Sequence, residues 1–582
     1  MLYLELCGVL EKLESTSKRL EKTYLISEFL KKVPSEDLDK VILFLTGRIF
    51  PFWDERKLGF SDSLVLKAIN IATGVDLSLV KEKWKETGDL GITASDLIGV
   101  KKQATLFSEK LSVEKVFLNL SKLASTGGQG SVDYKVKLVA ELLGSASSLE
   151  ARYIIRTVLD LLRVGIGDGT LRDALVWNLT EVNYNSEEKS IGPVDRAEYN
   201  QIVETVQEAY DVLNDFSELA RILKKEGLSG LSSVKLNPGK PLKVMLGPKE
   251  ETISDAFERV GRPAALEYKL DGFRMQIHKF DGKVKVFTRR LDEVTAQFPE
   301  VVEFVLSHVK GDSFILDAEA VGFDPVSGKF LPFQKISQRI KRKYDIHQMA
   351  KDFPVEVNVF DIVHYEGEDL LKKEFNFRRK LLKKIITEEK NKIILVKQLV
   401  TGDDKEASDF YQESLSLGNE GIMFKKLDGA YRPGARVGMM VKMKPVMETL
   451  DLVVVGAEWG EGKRSEWLSS FILACRSDDG NLFEIGRTGT GFKEKEEEGL
   501  SFKEMTERLR PLIVSEDGKT VRVKPSIILE INYEEIQASP TYGSGFALRF
   551  PRVIRLREDK GIEDCSSLDY VKELQAKQRF SR

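Results

Sequence analysis

One lysine in this chain is placed to act as a nucleophile. It lies in Glu267-Tyr268-Lys269-Leu270-Asp271-Gly272-Phe273-Arg274, at the end of an apolar run and just before an Asp-Gly turn. A lysine fixed that way suits covalent catalysis better than surface solvation. To attack, it must lose a proton, although a free lysine titrates near about 10.4. Neighbouring cations and partial desolvation favour the neutral amine. Arg274 on the following strand and Arg289 on the next, in Phe287-Thr288-Arg289-Arg290, are candidates. Lys442 and Lys444 in Met440-Val441-Lys442-Met443-Lys444 are two apart, so on a strand both point to one face, with Val441 and Met443 on the other. Such a set of cations suits a triphosphate.

Carboxylates and an aromatic stand in strand contexts too. Glu319 sits in Ile315-Leu316-Asp317-Ala318-Glu319-Ala320, and Glu420 precedes Gly421-Ile422-Met423-Phe424-Lys425. A charge in apolar surroundings is costly unless a cation or metal pairs with it. Phe360, in Val357-Asn358-Val359-Phe360-Asp361-Ile362, could stack on a purine. Taken singly, each of these residues has an ordinary structural reading as a strand-end charge, a solvated face or a core aromatic.

The elements that must hold these residues can be read from periodicity. Residues 1–235 repeat apolar side chains at three- and four-residue steps, as in Val136, Leu138, Val139, Leu142 and Leu143, so this region reads as helical. Glycine clusters at 127–130 and 165–169 lack a Walker lysine and read as helix-connecting turns. The character changes at Leu236-Asn237-Pro238-Gly239-Lys240-Pro241, which looks like a linker. Beyond it, strands at 273–277, 314–320, 355–364, 421–425 and 441–444 alternate with helices at 298–309 and 374–388, giving an α+β domain on antiparallel sheet over 236–445. From 446 to 582, strands at 452–456, 471–475, 483–488 and 526–533 with one helix at 493–510 suit a small β-barrel of the OB-fold type.

Composition sets limits. At 582 residues the chain is too long for one core. Its 42% hydrophobic and 31% charged content describes a soluble, folded protein. A net charge of −3 excludes wholesale electrostatic attraction to nucleic acid, so any such binding must use local patches. Three scattered cysteines (Cys7, Cys475, Cys565) argue against a zinc cluster or disulfide framework and fit a reducing, intracellular compartment. The four histidines have no ligand spacing. No signal peptide or membrane-spanning run is expected. Abundant Lys, Glu and Arg are compatible with the surface ion pairs of a thermophile.

The ordered series KLDG, TRR, LDAEA, VFDIV, EGIMFK and VKMK, spread over about 175 residues, resembles the motifs of covalent nucleotidyltransferases: ATP-dependent DNA ligases, RNA ligases and capping enzymes. Two further regions resemble archaeal and eukaryotic-type ATP-dependent DNA ligases in particular. These are Gly545-Phe546-Ala547-Leu548-Arg549-Phe550-Pro551-Arg552 with its continuation to Lys560, and the helical region containing Leu161-Leu162-Arg163-Val164-Gly165-Ile166-Gly167-Asp168-Gly169. The resemblance implies a multidomain α and α+β protein with a helical DNA-binding domain, an adenylation domain and a C-terminal OB-fold, which matches the boundaries 1–235, 236–445 and 446–582.

The same resemblance implies roles. Lys269 becomes adenylated, and Asp271 counts with it among the catalytic residues. Glu267 meets the adenine, Arg274 and Arg289 hold ribose and phosphates, Glu319 contacts ribose and neighbours a metal, and Phe360 stacks. Glu420 serves the catalytic metal, magnesium or manganese. Arg436, Lys442 and Lys444 are later phosphate contacts, and Arg557 and Lys560 orient the departing pyrophosphate. The activity implied is ATP-dependent sealing of nicks in duplex DNA during replication, repair and recombination, through lysyl-AMP and DNA-adenylate intermediates. The implied protein is a monomer in the cytoplasm, associated with the nucleoid, with a sliding clamp as a further partner. Met440 and Val441 depart from the family's usual tryptophan and leucine, and Arg290 stands where asparagine is common. A GTP-using capping enzyme, which would lack the long helical region, and a non-catalytic DNA clamp remain the alternatives. An NAD-dependent ligase fits less well, for want of its cysteine cluster.

Overall fold

The computed structural model describes residues 1–580 apart from 55, 101–109, 129, 181, 183, 186–189, 193–194, 332, 341–343, 435–437, 446–447, 461–463 and 478. The chain divides into two compact units. One comprises Met1–Leu246, Gly272–Leu395 and Asp428–Val437, and the other Gly247–Asp271, Val396–Leu427 and Gly438–Arg582.

The first unit begins with the expected helices, from Tyr3–Ser15 to Phe216–Glu226. Their apolar faces share one core that includes Leu6, Val41, Leu120, Leu142, Ile154 and Leu219. Local signals set the ends. Asp89 accepts the Gly91 and Ile92 N–H groups ahead of Leu90–Gly99, and Ser147 with Glu150 forms a capping box for Ser148–Val158. Among the described residues no single helix is long and apolar enough to cross a membrane. The one bent pair whose combined composition qualifies, Asp62–Thr73 with Leu77–Thr87, turns through 119° and puts Val65, Leu66, Ile69 and Val80 into the core.

The Pro- and Gly-containing stretch after Lys235 is pinned rather than free. Leu236 N–H donates to Asp369 at 2.9 Å, Gly239 N–H to His278 Nδ1 at 2.9 Å, and Leu242 N–H to Gln276 Oε1 at 2.9 Å. Leu236, Leu242, Val244 and Met245 are buried. Side chains of the neighbouring sheet thus take up N–H groups that no strand ladder pairs here. His278, fully enclosed by that sheet, is driven down to about 3 by burial, with His364 and Lys285 adding to the effect. It is a neutral structural histidine, as its spacing suggests.

Strands are numbered here in chain order, omitting two-residue pairs: β1 (Ala264–Lys269), β2 (Phe273–Phe280), β3 (Lys283–Thr288), β4 (Phe314–Gly322), β5 (Val355–Tyr365), β6 (Ile393–Leu395), β7 (Gln398–Thr401), β8 (Gly421–Lys426) and β9 (Met440–Met443). The first unit's sheet runs β6-β5-β4-β2-β3, antiparallel except for the β6–β5 pair. Its core is Met275, Ile277, Leu316, Ala318, Val357 and Val359 with helices Pro299–His308 and Phe375–Ile385. The second unit's first sheet runs β7-β1-β8-β9.

The second unit also holds the strand-rich C-terminal region. Its strands are β10 (Leu450–Trp459), β11 (Leu468–Arg476), β12 (Leu482–Thr488), β13 (Ile513–Asp517), β14 (Thr520–Val523), β15 (Ile528–Asn532), β16 (Glu535–Ala538), β17 (Phe546–Arg549) and β18 (Arg552–Leu556). β10 pairs with β11 on one edge and with β14 and β15 in succession on the other. β18 pairs with β15, and the Val553 N–H donates to the Thr490 carbonyl just beyond β12 at 2.9 Å, so the sheet curls back on itself. The helix expected over 493–510 is shorter, Phe502–Leu509, because Gly499 adopts φ +125° and Ser501 caps the helix by accepting the Glu504 N–H.

Candidate active site

In the second unit, the sheet containing β1 sorts its residues by parity. Glu267 lies opposite Gln398 on β7 and Met423 on β8, Lys269 lies opposite Gly421, and Met423 lies opposite Lys442 on β9. Paired residues point to the same side. One face therefore carries Glu267, Lys269, Gln398, Met423, Lys425 and Lys442. The other carries Leu266, Tyr268, Ile422 and Phe424, with Phe257 edge-on to Phe424 and Phe410 against Tyr268. A sheet with one oily face and one charged face presents its polar residues as a group.

Lys269 stands at the end of that charged face. Its Nζ lies 2.5 Å from Glu420 Oε2, and Lys444 Nζ lies 2.6 Å from the same oxygen. The Glu420 side chain is 9% exposed. Burial would raise its carboxyl, but Lys269 and Lys444 outweigh it and hold the group well below the usual carboxylate range. The backbone locks the pair as well: Glu420 N–H donates to the Lys269 carbonyl at 2.8 Å. Gly421, at φ +138°, brings β8 so close that a Cβ would meet the Met443 carbonyl at 2.1 Å. That approach requires glycine and explains the Glu-Gly pairing in the sequence.

Glu267 is buried and engaged. Lys425 Nζ lies 2.6 Å from its Oε2, and Gln398 Nε2 donates to Oε1 at 3.0 Å. Lys425 and Gln398 were not singled out in the sequence. Lys425 shares strand parity with Gly421 and Met423, which was a usable signal, whereas Gln398 is joined to the group only by pairing across β7 and β1. Asp271 follows β1 in the bend. Arg549 on β17 feels the charges of both Glu420 and Asp271: burial opposes its ionised form, but its hydrogen bond to Glu535 and these carboxylates hold its pKa above the usual arginine value.

The first unit holds a second polar cluster around Arg274 on β2. Its Nε donates to Asp317 Oδ1 at 2.8 Å and its Nη2 to Oδ2 at 2.5 Å, a bidentate pair, while Nη1 donates to the Met245 carbonyl at 2.9 Å. Asp317 is 1% exposed. Burial works against the guanidinium, but Asp317 outweighs it and the pKa stands above the ordinary arginine value. The Phe360 ring lies 5.2 Å from the guanidinium carbon, so Arg274 and Phe360 do come together. Glu319 is the cross-strand partner of Arg274 in the β2–β4 register and is half-buried. Gly272 starts β2 where a Cβ would meet the Ala320 carbonyl at 2.3 Å, so the Asp-Gly turn cannot take a larger residue.

Arg289 differs from expectation. It is exposed and lies in the turn after β3, not on a strand, because the Leu291 N–H returns to the Thr288 carbonyl at 2.8 Å and closes the turn. Arg436 lies outside the described residues. Lys442 is on β9 as expected, and Lys444 stands just past its end. Arg557 and Lys560 share Asp451 on β10: Arg557 Nη1 lies 3.0 Å from Oδ1 and Lys560 Nζ 2.6 Å from Oδ2. Arg557 also meets Asp559 at 2.8 Å and Glu530 at 3.6 Å.

Among the described residues, no group of three or more His, Cys, Asp or Glu side chains could hold a metal by itself. Glu420 nonetheless fits a divalent cation. Its carboxylate is ionised and faces the Lys269 and Lys444 ammonium groups, and magnesium needs only one or two protein carboxylates where phosphates and waters complete its shell.

Comparison with known proteins covers the whole length. Residues 2–176 match the family model for the DNA ligase N terminus, residues 244–444 the ATP dependent DNA ligase domain, and residues 464–560 the ATP dependent DNA ligase C terminal region. A DNA ligase of Nanoarchaeum equitans is 46% identical over 578 residues, which cover 99% of this chain and 98% of the relative. A DNA ligase of Archaeoglobus fulgidus is 42% identical over 578 residues, with 99% and 98% covered. The solved structure described as Pmar-Lig_PreS3 aligns with a TM-score of 0.54 at 18% identity, over 95% of this chain and 99% of that one, and supports the fold alone. The chain belongs to the ATP-dependent DNA ligases, enzymes that use ATP to form phosphodiester bonds in DNA.

Proposed function

We propose that the reaction runs through Lys269 and seals nicks in duplex DNA in three steps. The observation that carries this reading is the Lys269–Glu420–Lys444 cluster, in which two ammonium groups share one buried carboxylate. Two ammonium groups converging on one buried carboxylate are suited to receive an anion, and a triphosphate is one. In the first step the neutral Lys269 Nζ attacks the α-phosphorus of ATP. The N–P bond forms, the bond to the bridging oxygen of the β-phosphate breaks, and pyrophosphate leaves. Glu420 is too acidic to keep the lysine proton, so its work is to aim Nζ while the proton passes to solvent.

In the second step an oxygen of the 5′-phosphate at the nick attacks the same phosphorus, the N–P bond breaks, and Lys269 recovers its proton. In the third, the 3′-hydroxyl attacks the activated 5′-phosphate, AMP departs, and the strand is joined. Glu420 would hold a divalent cation, which when bound supplies charge stabilisation to the phosphates. The remaining roles rest on the family resemblance: Glu267 toward adenine, Arg274, Arg289 and Glu319 toward ribose and phosphates, Phe360 toward the base, Arg436, Lys442 and Lys444 toward phosphates, Arg557 and Lys560 toward pyrophosphate, with Glu319 as a metal neighbour.

The same reading carries domains at 1–235, 236–445 and 446–582, a monomeric enzyme inside the cell on the nucleoid, and a sliding clamp as a further partner. Separate apolar cores over 3–231, 273–395 and 450–574 support the three-domain division. Binding through phosphates should be independent of sequence and sensitive to salt.

Incubation with radiolabelled nucleotide tests the centre of this reading. ATP should label the protein at Lys269, and Lys269→Ala should take no label and seal no nick. Labelling by GTP alone, or sealing by the alanine variant, would overturn it.

A further inference from the structure

Arg274 has five N–H donors in a rigid fork. Two go to Asp317, one to the Met245 carbonyl, and Nη2 lies 3.4 Å from the Tyr431 hydroxyl. The fork is thus held from three sides. Tyr431 touches both of the groups that do most of the holding. Its hydroxyl donates to Asp317 Oδ2 at 2.8 Å and accepts the Met245 N–H at 3.2 Å. The residue whose carbonyl takes Arg274 Nη1 and the carboxylate that takes its Nε and Nη2 are therefore tied to one oxygen.

Tyr431 is itself held firmly. Its N–H donates to the Leu371 carbonyl at 2.8 Å, and its ring lies 5.9 Å from the guanidinium carbon of Arg378. Arg378 is buried, pairs with Asp361 at 2.7 Å and donates to the Gly429 carbonyl at 3.2 Å, two residues before Tyr431. A tyrosine that only filled the core would gain nothing from its hydroxyl, because burying that group unpaired costs several kcal/mol, roughly 2–7. Here the hydroxyl makes bonds to the two anchors of one arginine.

We propose that Tyr431 is a positioning residue for ATP, acting through Arg274. It sets the direction of the guanidinium by fixing Asp317 and the Met245 peptide, and Arg274 in turn meets the nucleotide. This inference rests on the reading of Arg274 as a nucleotide contact. Tyr431→Phe keeps the ring and removes the oxygen, leaving the Met245 N–H without its acceptor and Asp317 with one donor fewer.

The test is a double-mutant cycle in the full-length enzyme, read as the ATP concentration giving half-maximal self-adenylation. Tyr431→Phe should raise that concentration about tenfold, the scale of one hydrogen bond to a charged group. In an Arg274→Gln background the same substitution should add less than about twofold. An equal penalty in both backgrounds, or none in the parent, overturns the proposal. Affinity for nicked duplex DNA in the absence of nucleotide should change by less than about twofold, and a parallel loss there would mark a purely structural defect and also overturn it. If Tyr431→Phe fails to fold, the proposal stands or falls on Asp317→Asn, which should give the same rise in the parent and the same loss of effect beside Arg274→Gln. If Arg274→Gln alone leaves self-adenylation unchanged, the reading of Arg274 fails, and the inference with it.

Discussion

Two cationic clusters in the second unit are built from similar parts and differ in balance. At Lys269 two ammonium groups share one carboxylate, Glu420, with Glu534 no closer than 3.6 Å to Lys444. At Arg557 the two cations Arg557 and Lys560 also share one carboxylate, Asp451, but Asp559 and Glu530 stand behind it. Beyond its hub the first cluster has, among the described residues, one further carboxylate within 4 Å, Glu534, where the second has two. The second is satisfied from within its own strands. Glu420 is also the more buried of the two hubs, at 9% side-chain exposure against 15% for Asp451. The difference teaches that a lysine or arginine in a motif is not by itself an anion site. What matters is whether the fold has already supplied its counter-charge. A phosphate entering at Lys269 and Lys444 would have fewer counter-charges to displace than one entering at Arg557 and Lys560, which lean on Asp451, Asp559 and Glu530.

The sharpest way to break this contrast is to neutralise each hub in turn. Glu420→Gln keeps the shape and removes the carboxylate that both lysines share. Self-adenylation, measured by label from ATP, should fall roughly a hundredfold, the scale for deleting a preorganised charged group at a reacting centre. An effect below about threefold would show that Glu420 is an ordinary ion-pair partner.

Asp451→Asn should matter far less to folding and to the first step. Arg557 keeps Asp559 and Glu530, so its charge stays paired when Asp451 is neutralised. Self-adenylation at saturating ATP should change by less than about fivefold, and at low ATP it should rise, because the cations no longer need to leave a carboxylate. A loss as large as that of Glu420→Gln would erase the distinction between the clusters.

How much of this was legible from the chain depends on distance along it. Lys269, Glu267 and Gly272 fall within six residues, and strand alternation already places Glu267 and Lys269 on one face. Glu420 was legible because a carboxylate before an apolar strand needs a partner, although its partner is 151 residues away. Tyr431 and Asp451 were not legible. Tyr431 meets Asp317 across 114 residues, and Asp451 meets Lys560 across 109. Neither sits in a pattern that periodicity reads, and their roles exist only once sheets β2-β4 and β10-β15-β18 are paired. Arg289 was misplaced onto a strand because β3 runs out one residue earlier, and nothing but the returning Leu291 N–H reveals that. The stretch after Lys235 looks like a linker because prolines and glycine usually mark open chain. Its apolar residues Leu242, Val244 and Met245 were the contrary signal.

The smallest expected effect concerns acid. Glu420 is held below the usual carboxylate range by Lys269 and Lys444 against the opposing effect of burial. A carboxyl whose pKa is lower in the folded state adds stability that is fully present above its unfolded value, about 4.3, and is lost as pH falls through the folded value. Between pH 5 and 8, then, the stability difference between the parent and Glu420→Gln should stay flat in urea titrations. Below about pH 4 the difference should shrink, because the parent must now protonate a group that the variant never ionised. A difference that instead drifted steadily across the neutral range would mean that another group, not Glu420, governs the charge of this cluster, and the contrast with Asp451 would have to be drawn again from that group.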